Sequence, residues 1–245
     1  MTEFFSEHAA EYARHRPPYP ATLFDYLASL VSRRTLAWDC ATGNGQAAEG
    51  LEPYFERVVA SDKGLQQVAQ ARPSRVIYLG SAAEAAPLRA ASVDLLTVAQ
   101  AIHWFDFEPF YREARRVVAS SGVIAVSTYT LLRVNPAVDR VVWRLYHQVV
   151  GSYWPPERRW VEDQYRTLPF PFAEEVPPTF VMEQCWNLDE MAGYLATWSA
   201  CRRFFSATGR DPVRLVMAEF EDAWGHPEVK RPVRWPLHLR IGRNS

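Results

Sequence analysis

Short apolar runs alternate with amphipathic stretches through the first half of the chain. Runs with the length of a strand end at Trp38, Ser61, Val98 and Thr128. Between most of them the apolar residues recur with helical spacing, as in residues 22–31 and 108–118. Strands that alternate with helices are typical of βαβ units, so the pattern predicts an α/β protein with a largely parallel sheet.

The second half of the chain has a different pattern. Asn135-Pro136 has the N-cap and the first-turn proline that begin a helix. Residues 152–178 are rich in proline and aromatic side chains, which is typical of a cap or lid. We therefore expect a helical and aromatic cap at residues 131–178. A strand near residues 179–186 and two further helices are predicted after it.

The last segment alternates between apolar and polar positions. In R-P-V-R-W-P-L-H-L-R-I-G-R (231–243) the apolar face consists of Val233, Trp235, Leu237, Leu239 and Ile241. Such alternation predicts a half-exposed strand, as expected for an antiparallel strand added to an otherwise parallel sheet. Pro236 fits an edge position in such a strand, because proline donates no ladder hydrogen bond.

Composition and charge exclude several classes of function. The chain has 245 residues, of which 48% are hydrophobic and 22% charged, as in an ordinary globular protein with a sizeable core. A formal net charge of -1 argues against a partner that is a nucleic acid or an anionic membrane. The first twenty residues lack the apolar region of a signal peptide, and no apolar run reaches membrane-spanning length. Cys40, Cys185 and Cys201 form no C-x-x-C pair, so we expect neither zinc nor a disulfide framework. A cytoplasmic protein without a metal is the expectation.

A glycine-spaced loop follows the first predicted strand. Its sequence G-N-G-Q-A-A (43–48) satisfies G-x-G-x-x-A, a relaxed form of the dinucleotide-binding fingerprint. The glycines would let the backbone approach a ligand, and the start of the helix beyond them favours an anion. Asp62 ends the second predicted strand, where an acid accepts hydrogen bonds from ribose hydroxyls. Both features fit any cofactor that carries a ribose.

Asp39 distinguishes between the candidate cofactors. At the tip of the first strand its carboxylate would face a pyrophosphate at close range, and no Lys or Arg between residues 36 and 50 offsets that repulsion. S-adenosylmethionine has no phosphate, and its ammonium and sulfonium groups are both attracted to an acid. The residues therefore favour S-adenosylmethionine over NAD, with a nicotinamide-dependent oxidoreductase as the alternative.

The same loop carries a family resemblance. D-C-A-T-G-N-G (39–45) resembles the first motif of the class I S-adenosylmethionine-dependent methyltransferases, and Asp62 matches the ribose-binding acid of that family. Ala41 replaces the usual first glycine, which is tolerable if the backbone keeps a negative φ there. S-A-A-E-A-A-P-L (81–88) is similar to the segment that reads the adenine, with Ala82 at the position of its aspartate.

Three further segments extend the resemblance over nearly the whole chain. S-V-D-L-L-T-V-A-Q-A-I-H-W-F (92–105) resembles the fourth strand and the loop that passes the methionine part of the cofactor. Y-A-R-H-R-P-P-Y-P (12–20) and V-R-W-P-L-H-L-R-I-G-R (233–243) resemble a subgroup related to trans-aconitate methyltransferases.

The resemblance implies an architecture and a reaction. It implies a Rossmann-like, seven-stranded sheet with helices on both faces and an antiparallel last strand, in a single domain. The expected parts of that domain are an N-terminal lid (1–20), a cofactor-binding half (21–130), the cap (131–178) and a completing segment (179–245). Methyl transfer is an in-line displacement, so positioning and the exclusion of water supply most of the catalysis. A base is needed only if the acceptor is an un-ionised hydroxyl or amine.

The resemblance also assigns candidate site residues. Those expected at the cofactor are Tyr12, Arg16, Asp39, Ala41, Thr42, Gly43, Gly45, Asp62, Lys63, Ala82, Ala83, Gln100 and His103. Those expected at a small-molecule acceptor are Trp104, Tyr129, Arg133 and Trp154. His103 is the one candidate for a base. The simpler alternatives are that Gln100 and His103 are satisfied loop residues and that Trp104 is a core aromatic.

The identity of the acceptor has two alternatives at this stage. The subgroup resemblance indicates a small carboxylic acid, whose carboxylate would require an arginine. The candidate arginines are Arg133, Arg158, Arg159, Arg202 and Arg203. The other alternative is an apolar or phenolic acceptor held by the aromatic side chains Trp104, Tyr129, Tyr153 and Trp154. A protein that binds the cofactor without turnover is the non-enzyme alternative.

Overall fold

The computed structural model describes residues 16–69, 71 and 73–244, which divide into two compact units. The first, called the sheet unit below, comprises residues 19–69, 71, 73–129, 159–180 and 237–244. The second, called the helix-rich unit, comprises residues 16–18, 130–158 and 181–236.

The described helices and strands are numbered here in chain order. The α-helices are α1 (Ala21–Ser29), α2 (Gln46–Leu51), α3 (Leu65–Val68), α4 (Phe107–Val117), α5 (Pro136–Arg144), α6 (Arg158–Glu162), α7 (Leu188–Ala196), α8 (Ser199–Thr208) and α9 (Met217–Trp224). The strands are β1 (Leu36–Cys40), β2 (Arg57–Asp62), β3 (Ile77–Gly80), β4 (Val93–Ala99), β5 (Val118–Tyr129), β6 (Ala173–Glu175), β7 (Phe180–Trp186) and β8 (Arg231–Arg243). Short 3-10 turns occur at Ile102–Trp104, Gly151–Tyr153 and Arg214–Val216.

The sheet has the strand order β3-β2-β1-β4-β5-β8-β6, and β7 also pairs with β8. Strands β1 to β5 pair in parallel, whereas β8 runs antiparallel to β5 from Val123↔Arg243 to Tyr129↔Leu237. The predicted fold class, a mostly parallel sheet with an antiparallel last strand, is confirmed. The described residues form eight strands where seven were expected, because the three-residue β6 pairs with the far side of β8.

The core of the sheet unit follows from the apolar runs of its central strands. β1 is buried along its whole length, and β4 is buried at every position before its last. Trp38, Leu96 and Val126 belong to one apolar cluster that also holds the apolar face of α4. Strands buried in this way carry continuous apolar runs, which is why the sequence identified them. The predicted helix at residues 108–118 is confirmed as α4.

The helix-rich unit begins its first helix where the sequence predicts. The side chain of Asn135 accepts hydrogen bonds from the backbone N–H groups of Ala137 (2.9 Å) and Val138 (3.0 Å), so it is the N-cap of α5. α5 continues as a π-helical turn over Leu145–Val149 and ends before Gly151. Among the described residues, no helix combines the length and apolar character that a membrane crossing requires.

Candidate functional site

The candidate site lies at the carboxyl ends of β1, β2 and β4, in the sheet unit. Open α/β sheets bind ligands at this edge because the loops there leave a crevice. β1 and β4 are neighbours, and their ladder pairs Asp39 with Thr97. β1 and β2 are also neighbours, and the register pairs Cys40 with Ser61. The sheet topology therefore brings the loops after these strands together.

The loop after β1 has a left-handed backbone at three positions. Gly43 has φ 58° and Gly45 has φ 88°, which glycine adopts without strain. Ala41 has φ 55°, so the negative φ that would make an alanine tolerable at this position is not observed. The chain turns sharply here because the Thr42 N–H donates to the carbonyl of Ser61 (3.0 Å). A left-handed alanine costs about 1 kcal/mol or more, so the loop stores strain at the edge where open α/β sheets bind ligands.

Asp39 holds a buried carboxylate beneath that loop. It is 1% exposed. The hydroxyl of Thr42 donates to its Oδ2 (2.5 Å) and the hydroxyl of Thr97 donates to its Oδ1 (2.7 Å). Burial raises the pKa of Asp39 to about 6, against the lowering effect of these hydrogen bonds. A cation placed near Asp39 would stabilise its ionised form.

Asp62 connects two loops through its carboxylate. Oδ2 accepts a hydrogen bond from the backbone N–H of Gly43 (3.0 Å), and Oδ1 accepts one from the N–H of Gly64 (2.7 Å). Each carboxylate oxygen can accept more than one hydrogen bond, so both remain able to accept from a diol. The geometry fits a pair of ribose hydroxyls.

Two of the alanines expected at the adenine lie just after β3. Ala82 is exposed, and Ala83 is buried in the apolar cluster of the sheet unit. The Ser81 N–H donates to the carbonyl of Asp62 (3.1 Å), which fixes this segment beside the end of β2. Lys63 follows Asp62 and is exposed.

The loop after β4 is tied to β5 by Gln100. Its Oε1 accepts hydrogen bonds from the hydroxyl of Thr128 (2.9 Å) and from the N–H of Tyr129 (2.8 Å). Gln100 itself has φ 56°. The side chain of Gln100 thus braces the loop, which is the satisfied-loop alternative considered for it. Tyr129 is buried at the end of β5.

His103 and Trp104 follow in the next turn and differ in environment. His103 is 6% exposed, and its Nδ1 lies 2.7 Å from the hydroxyl of Tyr165. Trp104 is 54% exposed, so its alternative role as a core aromatic is wrong. A 3-10 turn ends at Trp104, whose indole is exposed to solvent, whereas the imidazole of His103 is covered.

The other expected residues lie elsewhere. Tyr12 and most of the expected lid lie outside the described residues. Arg16 belongs to the helix-rich unit, where its guanidinium carbon lies 5.7 Å from the ring centre of Tyr194. Arg133 and Trp154 also belong to the helix-rich unit. In the part of the chain that the structure describes, no group of three or more His, Cys, Asp or Glu residues could hold a metal ion.

Two residues of the site gave no signal in the sequence. Thr97 lies inside the apolar run of β4 and looks like an ordinary strand residue. Tyr165 lies in the predicted cap, far along the chain from His103. Their partners are set by tertiary structure, and no local spacing reveals them.

The chain is similar to known methyltransferases in sequence and in fold. Residues 38–126 match the model of a methyltransferase domain. A Dictyostelium discoideum protein named as a methyltransferase is 32% identical over 212 residues, which cover 84% of this chain and 81% of that relative. A solved structure from Anaeromyxobacter dehalogenans, named as a type II methyltransferase, is 47% identical with a TM-score of 0.88 and covers 94% of this chain and 98% of that one. A structure from Bacillus halodurans, also named as a methyltransferase, shares the fold at 18% identity with a TM-score of 0.52, over 91% of this chain and 98% of that one.

Proposed function

Because this chain belongs to the class I S-adenosylmethionine-dependent methyltransferases, we propose that it methylates a small carboxylic acid. The cofactor is S-adenosylmethionine, which sets aside the nicotinamide-dependent alternative. The resemblance of both chain ends to the trans-aconitate subgroup supports an acid as the acceptor. Membership of the family gives the reaction and the cofactor, whereas the acceptor and the roles of individual residues are proposed here.

Three residues of the sheet unit support a cofactor site there. Asp62 is oriented by two backbone N–H groups and keeps lone pairs for the ribose hydroxyls. Gly43 has no atom within 4 Å of the position where a side chain would begin, so the backbone there can approach a ligand. The buried charge of Asp39 would attract the cationic groups of S-adenosylmethionine. We propose these three residues as the cofactor site.

Methyl transfer from a sulfonium to a carboxylate requires little of the protein beyond orientation of the two reactants. When bound, S-adenosylmethionine supplies a methyl group activated by a sulfonium. A carboxylate is ionised at neutral pH, so no residue has to remove a proton from the acceptor. The chain then has to hold the acceptor oxygen in line and to exclude water.

One observation carries the choice of a carboxylate. In the helix-rich unit, the Nε of Arg158 donates to the hydroxyl of Tyr146 (2.7 Å), and its guanidinium carbon lies 5.4 Å from the ring centre of Tyr146 and 4.6 Å from that of Trp154. Within residues 16–69, 71 and 73–244, Arg158 makes no ion pair with a carboxylate. A guanidinium held by aromatic faces keeps its terminal N–H groups for a bidentate anion.

The other candidate arginines are less suited to this role. Arg133 faces Asp139 at 3.6 Å, and its side chain is largely exposed. Arg159, Arg202 and Arg203 are exposed as well. We therefore propose Arg158 as the group that binds the acceptor carboxylate.

A transfer assay with labelled S-adenosylmethionine and a library of small mono-, di- and tricarboxylic acids, phenols and amines tests the proposal. With an acid substrate, we expect Arg158→Lys to raise KM by about 10- to 100-fold, because lysine keeps the charge and loses the bidentate fork. Arg203→Lys, a matched change at an exposed position, should leave KM unchanged. Methylation of uncharged acceptors only would contradict the proposal that the acceptor is a carboxylic acid.

The exposed indole of Trp104 favours a second candidate, an aromatic acceptor such as a phenol. A tryptophan half in solvent at the ligand edge of the sheet offers a face for stacking. Trp104→Ala should then abolish turnover of phenols in the same library. A variant that methylates acids and phenols as the wild type does would exclude this role.

A further inference from the structure

A polar cavity lies beside β8, at the same end of the sheet as the candidate cofactor site. Its volume is about 360 Å³. β8 enters the sheet at this end, where its His238 pairs with Thr128 near the end of β5. The hydroxyl of Thr128 also donates to Oε1 of Gln100 (2.9 Å), in the loop after β4. The residues that line the cavity all belong to the sheet unit.

The cavity is lined by residues that can donate hydrogen bonds. His238 and Arg240 are two residues apart in β8, so their side chains lie on the same face of the sheet. Gln164 and Arg166 line the cavity from the segment that follows α6. These residues together have an imidazole, two guanidinium groups and a side-chain amide, and each of these groups can donate.

The two arginines differ in how their donors are used. Arg240 makes a fork of two hydrogen bonds, from Nε and Nη2 to the two carboxylate oxygens of Glu174 (2.8 and 2.5 Å). Arg166 donates from Nη2 to Oδ1 of Asp163 (3.0 Å), and its side chain is 70% exposed. Its Nη1 makes no hydrogen bond with the residues that the structure describes. Arg166 therefore keeps a donor for a ligand that enters from solvent.

His238 has a buried ring nitrogen that lacks a hydrogen-bond partner. Within the described part of the chain, no group pairs with its Nε2. A buried polar atom left in this way is costly, and nearly all such atoms in folded proteins are paired. Burial and then the charge of Arg166 lower the pKa of His238. An anion beside Arg166 would oppose that second effect and would accept a hydrogen bond from a protonated Nε2.

We propose that this cavity binds a small carboxylate, held by the guanidinium of Arg166 and the imidazole of His238. Hydrogen bonds from a guanidinium to a carboxylate are among the strong ones in proteins. The volume lies at the lower end of the range for small-molecule sites, about 300–1,000 Å³, which fits a small organic acid. The site lies in the sheet unit, so it does not rest on the acceptor proposed for Arg158.

Calorimetric titration with acetate, succinate and citrate tests the site, with succinamide as the uncharged control. We expect at least one acid to bind and succinamide not to bind. Arg166→Gln and His238→Gln should each weaken binding of that acid about tenfold or more, the effect of one hydrogen bond to a charged group. His226→Gln is the matched control and should bind as the wild type does, because His226 is exposed and belongs to the helix-rich unit.

Proton NMR of the histidine rings gives a second readout. His238 is identified by the signals that His238→Gln lacks. The other charged groups that line the cavity are Arg166, Arg240 and Glu174, so His238 is the lining group expected to titrate near neutral pH. A bound carboxylate stabilises the imidazolium, so the pKa of His238 should rise when the acid is added, and that of His226 should not change.

A transfer assay with labelled S-adenosylmethionine distinguishes two sources of the bound acid. An acid that is the methyl acceptor becomes labelled, and Arg166→Gln raises its KM. An acid that binds without becoming labelled is a separate ligand, and Arg158→Lys leaves its affinity unchanged. Both results support the site. Absence of binding by all three acids would overturn it, as would equal binding by folded Arg166→Gln or a His238 pKa that the acid does not change. Inorganic phosphate that binds more tightly than every acid would contradict the ligand class.

Discussion

Asp39→Asn should make the cofactor-free protein more stable and should weaken its binding of the cofactor. Asp39 is 1% exposed, and burial raises its pKa from 3.8 to about 6. Because the folded-state pKa lies above the unfolded value, the native state binds more protons between these pH values, and stability falls as pH rises through this range. Above that range the penalty is about 3 kcal/mol, from about 1.4 kcal/mol for each pH unit.

Asparagine removes the charge and keeps the size. The hydroxyls of Thr42 and Thr97 can each donate or accept, so both can pair with an amide. We expect Asp39→Asn to raise the free energy of unfolding by about 1–3 kcal/mol at pH 8, because the ionisation penalty is gone. At about pH 3, below the unfolded-state pKa of 3.8, Asp39 is protonated in both the folded and the unfolded state, so the two proteins should be equally stable.

Urea unfolding at the two pH values measures the difference. Asp94→Asn is the matched control, because Asp94 is also buried but accepts from Nε of Arg33 (2.6 Å) and from the N–H groups of Thr35 and Leu36 (2.8 and 3.0 Å). Removing that charge should destabilise the protein at pH 8. A lower stability of Asp39→Asn at pH 8 would refute the reasoning, since the threonine hydrogen bonds would then outweigh the ionisation penalty.

Asp39→Asn should change the affinity for the cofactor in the opposite direction to the stability: binding becomes weaker. If Asp39 lies at the proposed cofactor site, its charge would attract the cationic groups of S-adenosylmethionine, so we expect Asp39→Asn to weaken binding of S-adenosylmethionine about tenfold or more. For the wild type, affinity should rise as pH increases through about 6, because binding favours the ionised carboxylate. Calorimetric titration across this pH range gives both values. An affinity that does not change with pH would contradict a role of the Asp39 carboxylate in binding the cofactor.

Two further substitutions test contacts of the sheet unit, one at Gly45 and one at Arg240. Gly45→Ala should lower the Tm of the cofactor-free protein more than Gly43→Ala does. The added carbon at Gly45 would lie 2.3 Å from the Tyr78 hydroxyl, whereas the one at Gly43 meets nothing within 4 Å; equal changes in Tm by thermal melting would contradict this contact. Arg240→Lys should lower the free energy of unfolding by about 1–3 kcal/mol through loss of its fork to Glu174, and unchanged urea denaturation would show that the fork contributes nothing.

The sequence predicted those parts of the fold that burial imposes on the amino-acid pattern. Central strands buried on both faces need continuous apolar runs, and β8, with its alternating burial, needs alternating residues. The three-residue β6 is too short to leave a pattern. Its pairing depends on β8, which is distant in the chain.

Only those site residues that belong to short sequence motifs could be predicted from the sequence. The glycine loop and the acid at the end of β2 are motif positions, and both lie at the expected edge of the sheet. The left-handed φ of Ala41 accompanies a hydrogen bond from the Thr42 N–H to the carbonyl of Ser61 on a neighbouring strand, and no property of alanine reveals it. Thr97 and Tyr165 act through contacts with residues far along the chain.

Calorimetric titration of S-adenosylhomocysteine into the wild type and Asp62→Ala tests the cofactor site most directly. Removing an ionised acceptor from the ribose hydroxyls should weaken binding by about 1.5–3 kcal/mol, or roughly 10- to 100-fold. Asp25→Ala, which removes an acid that accepts from the Tyr54 hydroxyl (2.7 Å), is the control and should bind as the wild type does. Circular dichroism should show that both variants are folded. An unchanged affinity of folded Asp62→Ala would contradict the assignment of the cofactor to this edge of the sheet.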